Sequence, residues 1–167
     1  MYFDSHAHYD DERFDDDRNE LLASFPDAGI ENVVNSSSDI ASSKASIALT
    51  EKYPFFYASV GVHPHEVEKM TEQDLLELET LSKHEKVVAI GEIGLDFYYD
   101  LSPRDMQRYW FKRQLELAER LDMPIIVHSR DAAQECFDII KASGVRKGVI
   151  HCYSGSAQMA KDYIGMG

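Results

Sequence analysis

Four apolar runs in this chain each lead into a side chain of the kind that binds metal ions. The run at the amino terminus leads to His6 and His8, Val87-Val-Ala-Ile90 to Glu92, Pro124-Ile-Ile-Val127 to His128, and Gly148-Val-Ile150 to His151. A carboxylate at the end of an apolar strand is costly to desolvate unless something pairs with it. His6 and His8 are two apart, so on a strand they point to one face and can grip one ion at about 2.0–2.1 Å. A lone His-x-His is more simply a surface or turn pair; the other three strand ends turn the reading toward a metal centre. Glu92 has two oxygens and can bridge two ions, one on His6 and His8, the other on His128 and His151. Two divalent ions about 3.5–4 Å apart would clamp a phosphoryl group and acidify a bridging water. The plainer role for Glu92 is a rim salt bridge. Imidazole and carboxylate ligands suit Zn, Mn, Fe, Ni or Mg in differing degrees and do not fix the metal, with Mg, Mn or Zn the expected ions.

Further residues lie near the same strand ends. His63 and His65, in Gly61-Val-His-Pro-His65, are candidates to touch a substrate phosphate or a metal-held water, or else stabilise a turn around Pro64. Arg130, two residues after His128, is placed to meet a phosphate, or to pair with Asp131. Asp96 is a candidate to orient a histidine, with loop structure as the alternative. The aromatics Phe97 to Tyr99 offer stacking surface for a nucleobase, but a packed loop is the simpler expectation.

These side chains need strands to carry them. Short apolar runs at residues 1–5, 32–35, 55–60, 87–90, 124–127 and 148–150 read as buried strands. Between them lie amphipathic stretches at about 16–27, after the 36–39 cap, from Thr71, from Ser102 to about Leu121, 131–141 and 157–164. Thr71-Glu-Gln-Asp74 and Ser102-Pro-Arg-Asp105 have the form of capping boxes. A strand followed by a helix, repeated, implies a parallel sheet. The expected fold is therefore α/β, a TIM-type (β/α) barrel with strand ends building the site. About six of the eight units are present in residues 1–167, read as one domain lacking its C-terminal quarter. Two unpaired parallel edges would then imply either association that covers them or a marginally stable fold.

The net charge of −13, from 17 basic and 30 acidic residues, argues against a broad basic face for nucleic acid. It leaves a nuclease open, because bound divalent ions supply positive charge where a phosphate sits. The acidic runs Asp10-Asp-Glu12 and Asp15-Asp-Asp17 suit a solvated helix start better than an ion site. No run is long enough to span a membrane. Met1 leads straight into a strand pattern, so a cytoplasmic location is expected. Cys136 and Cys152 are too few for a disulfide scaffold.

Five segments carry a resemblance. Phe3-Asp-Ser-His-Ala-His8, Gly61-Val-His-Pro-His65, Gly91-Glu-Ile-Gly-Leu-Asp-Phe97, Ile126-Val-His-Ser-Arg-Asp131 and His151-Cys-Tyr-Ser-Gly155 resemble, in order, the signature motifs of the TatD family of metal-dependent deoxyribonucleases. The resemblance covers the whole chain. It implies a barrel of the amidohydrolase type, a two-metal site, and hydrolysis of DNA phosphodiesters from 3′ ends or in single strands. It implies His6, His8, Glu92, His128 and His151 as metal ligands. Glu92, between the two ion positions, is the candidate catalytic residue, and His63, His65 and Arg130 are candidates for the substrate side from their positions alone. The family's late aspartate, a further ligand that handles the proton of the attacking water, has no match in these residues. The alternatives are a catalytically silent metal-binding or self-associating fragment and a hydrolase of another ester or amide on the same scaffold.

Overall fold

In a computed structural model describing all of residues 1–167, six strands alternate with six helices. They are β1 (Tyr2–Ala7), α1 (Arg18–Ala23), β2 (Ile30–Asn35), α2 (Ile40–Lys52), β3 (Phe56–Val60) and α3 (Glu72–Leu81), followed by β4 (Val87–Asp96), α4 (Arg104–Leu121), β5 (Ile125–Arg130), α5 (Ala133–Ala142), β6 (Gly148–Ile150) and α6 (Ala157–Ile164). All strands are parallel, in the order β1-β2-β3-β4-β5-β6. β1 and β6 each pair on one side only, so the sheet is an open, curled part of a barrel wall.

Side-chain alternation sorts the strands into two faces. Ile90, Ile125 and Val127 join the main core of 22 buried residues under α3, α4 and α5, with Leu78, Phe111, Leu115 and Cys136. Leu22, Phe25, Val33, Tyr53 and Phe56 form a second core beside α1 and α2. Val34, Ala89 and Ile126 meet on the opposite face. His128 and Arg130 follow Ile126 at the strand's two-residue period and so continue that face beyond the apolar layer. Of Met106, Trp110 and Leu117, which the apolar spacing of α4 turns inward, Trp110 and Leu117 are buried and Met106 packs half-buried against the core.

Two helix starts match their sequence signals. Thr71 and Asp74 form a reciprocal capping box for α3, and Asp39 does the same with Ser42 for α2. The Ser102 expectation fails. Pro103 precedes α4 without any side-chain cap, because Ser102 turns away to donate to His65 O (2.8 Å) and accept from Glu68 N–H (3.1 Å). The first helix is also shorter than 16–27 suggests, and a 3-10 turn at Glu12–Phe14 precedes it. Arg18 donates there to the carbonyl oxygens of Tyr9, Asp10 and Asp11, which holds the chain in a tight loop.

The largest departure is in β4. Its ladder does not stop at Ile90 but runs through both glycines to Asp96. The reason is close backbone approach. A Cβ on Gly91 would lie 2.7 Å from the Ile126 Cβ, and one on Gly94 1.9 Å from His128 O. Gly94 also has φ +143°, which disfavours any side chain. The glycines thus admit a register shift between Ile90 and Ile93, and Glu92 sits inside the strand. Strand β5 likewise continues to Arg130, so His128 is a strand residue and not a loop residue.

Candidate metal centre

Glu92 is almost fully buried, with 3% of its surface exposed, in the middle of the expected cluster. Its Oε2 lies 3.1 Å from His6 Nε2 and 3.6 Å from His8 Nε2. Its Oε1 lies 3.1 Å from His128 Nδ1. His151 stacks on the His6 ring at 3.5 Å between centroids. Burial alone would raise the Glu92 carboxyl. Its bonds with His128, His6 and His8 prevail and hold it well below the usual carboxylate range. The same bond with Glu92 raises His8. Burial works against charge on His128, but Glu92 and then Asp96 raise it. Burial lowers His151.

A second group adjoins the first. Asp96 has no exposed surface. Its Oδ2 lies 2.8 Å from His65 Nε2 and 2.9 Å from His128 Nε2. Its Oδ1 accepts the backbone N–H groups of Tyr98 (3.0 Å) and Tyr99 (2.8 Å). Burial opposes the charge, yet the Tyr99 N–H and the two imidazoles hold the Asp96 carboxyl at about 2. His63 is buried beside His128, with ring centroids 4.4 Å apart. Burial pushes it down to about 3, so it is neutral near pH 7.

The donor chemistry fits divalent ions. His6, Glu92 and His151 offer ligand atoms within 4.8 Å of one another, and His63, His65 and His128 do the same. Nitrogen and carboxylate donors without thiolate suit Zn, Mn and related ions. The grouping differs from the expected one in one respect: His151 lies against His6, while His128 reaches toward Asp96, His63 and His65. Arg130 makes no pair with Asp131. Its guanidinium lies 4.2 Å from the Tyr98 ring centroid and 5.2 Å from that of Tyr99.

Sequence reasoning missed the supports. Ser36 Oγ lies 3.2 Å from His6 Nδ1. Asn35 accepts Tyr9 N–H (2.6 Å) and donates to Asp10 (2.7 Å), fixing the turn after His8. Ser37 O accepts Glu92 N–H at 2.9 Å. These polar residues are fully buried. The only signal for them was a polar run at the end of β2, which has the same look as a helix cap. An apolar cleft beside β6 and α6, lined by Ile140, Val145 and Tyr163, lies away from these histidines.

A curled parallel α/β sheet that gathers histidines and carboxylates from several strands defines a barrel-type fold with a candidate metal site. The chain belongs to the TatD related DNase family, whose pattern matches residues 3–167. It is 40% identical over 168 residues to an uncharacterized metal-dependent hydrolase, YabD, from Bacillus subtilis (strain 168), covering 99% of this chain and 66% of that protein. It is 30% identical to the 3′-5′ ssDNA/RNA exonuclease TatD of Cronobacter sakazakii, covering 99% of this chain and 64% of that protein. The crystal structure of YjjV, a TatD homolog from Escherichia coli K12, superimposes with a TM-score of 0.91 at 33% identity, covering 99% of this chain and 65% of that one. The chain thus spans just under two thirds of the length of the relatives it matches. No helix is long and apolar enough to cross a membrane.

Proposed function

We propose that this chain carries the site of a metal-dependent nuclease that hydrolyses phosphodiester bonds in single-stranded DNA or RNA from the 3′ end. The observation that carries the reading is Glu92, a buried carboxylate touched by His6, His8 and His128. His6, His8, Glu92, His128 and His151 would hold two divalent ions, of Mg, Mn or Zn. Such ions supply Lewis acidity toward a phosphoryl oxygen and toward the attacking water. Glu92, buried among these histidines, would supply the carboxylate of that ligand set. Asp96 keeps the His65 and His128 rings in place. His63, neutral when buried, His65 and Arg130 face the phosphate side, with Arg130 neutralising its charge. The exonuclease name of the Cronobacter relative supports the substrate class.

Two cysteines without a disulfide support a cytoplasmic setting. The test is metal content and exonuclease turnover of purified protein, compared with Glu92→Gln. Two ions per chain, with turnover lost in the variant, is the expected result. Full turnover in Glu92→Gln, or no cleavage of single strands with Mg, Mn or Zn bound, overturns the reading.

A further inference from the structure

Beside the histidines, the segment after β4 presents two large aromatic rings to solvent. Tyr98 is 57% exposed and Tyr99 54%. Their rings meet edge to face, with centroids 4.9 Å apart. The expectation of a packed loop holds for the backbone and fails for these side chains. Asp96 accepts both tyrosine N–H groups. Arg104 ties Asp100 (3.0 Å) to Phe97 O (3.2 Å) and lies over the Phe97 ring at 4.6 Å. The loop is therefore locked from beneath while its two rings stay uncovered. A locked loop has little ordering entropy left to lose on binding.

Charge adds a second observation. Six of the eight arginines are held by carboxylates, and Arg146 by backbone carbonyls. Arg130 alone has neither; it lies across Tyr98. In a chain of net charge −13, this is a cation without a counter-ion. Tyr99 also reaches the metal-ligand cluster, with its ring 5.6 Å from that of His65.

An exposed aromatic pair, a free cation and a row of histidines match the base, phosphate and scissile linkage of one strand. We infer that Tyr98, Tyr99 and Arg130 form a subsite for the unpaired terminal nucleotide of a single strand. The base stacks on the tyrosines and Arg130 meets the adjoining phosphate. An unpaired terminal base is free to turn onto the rings, which a base held by its pairing partner is not, so the subsite favours single strands. Stacking tolerates every base, so it does not select sequence. This inference rests on the nuclease reading above.

The test is equilibrium binding by fluorescence anisotropy, with manganese present. The probe is a 5′-labelled oligothymidylate whose terminal linkage is a non-hydrolysable methylenephosphonate. A matched strand lacks the 3′-terminal base. Wild type should prefer the strand with the base by about 5- to 150-fold, the range for stacking on an aromatic side chain. Tyr98→Ala/Tyr99→Ala should bind both strands alike, at the abasic level, while Tyr98→Phe keeps the preference. Equal binding of both strands by wild type, or a double variant within twofold of wild type, overturns the subsite. Turnover on ordinary strands separates the two readings. Cleavage with a ring-independent affinity refutes the subsite alone. Ring-dependent binding without cleavage supports the subsite and refutes the nuclease. No binding of either strand refutes both.

Discussion

Gln107 is the point where the interior holds the site, and replacing it has a calculable effect. The side chain is fully buried on α4. Its Oε1 accepts Asp96 N–H at 2.8 Å, and its Nε2 donates to Asp96 O (3.1 Å) and Ser102 O (2.8 Å). Gln107→Leu keeps most of the volume and removes all three bonds. Each backbone group left buried without a partner costs about 1–3 kcal/mol. The expected loss is at least about 3 kcal/mol, read from urea unfolding in chelator by circular dichroism. Gln107→Glu separates hydrogen bonding from packing. One oxygen still accepts Asp96 N–H, but the other faces two carbonyl oxygens and is tolerated only as a protonated donor. Its folded pKa is thus raised above about 4.3. Stability is retained below that pH and lost as pH rises through the folded value. The variant should therefore approach wild type near pH 4 and fall away toward pH 8. A Gln107→Leu protein within about 0.5 kcal/mol of wild type would refute the reasoning, as would a Gln107→Glu deficit that does not vary with pH.

Three other outcomes are expected. In chelator, Asp96→Asn should cost about 2 kcal/mol, from a carboxyl at about 2 against an ordinary 3.8. Because that pKa is depressed, the deficit is present above about pH 4 and closes as pH falls toward 2; unfolding at a series of pH values checks it. Phe111→Ala, at a side chain 1% exposed in the main core, should cost about 3–5 kcal/mol in the same assay. Manganese or zinc at about one hundred times its Kd should stabilise the fold by about 2.7 kcal/mol, seen as a rise in Tm that chelator reverses. An unchanged Tm would count against the ligand set.

The parallel alternation was legible because its strands are short apolar runs and its helices carry their own start signals, Thr71 above all. The five expected ligands also come together, since all stand at one end of one sheet. What could not be read was anything set by backbone approach. Gly91 and Gly94 look like the end of a strand until Ile126 and His128 O are seen beside them. Ser102 looks like a cap until His65 O competes for it. Burial of Asn35, Ser36 and Ser37 depends on partners far away in sequence, which no local pattern displays. The shared oxygen of Asp96 between His65 and His128 is of the same kind.

The strand order has a consequence for how the molecule is assembled in time. Every sheet pairing joins neighbours in sequence, and the main core runs only from Ala58 to Val145. That body is contiguous and can form without either outer strand. The His6–His151 ring contact joins the two outermost strands and so needs both of them docked on the central body. It is expected to form after the central units and to open before them. Backbone amides of β1 and β6 should then exchange with deuterium well ahead of those of β4 and β5. The centre would come apart and re-form while the rest of the protein stays folded.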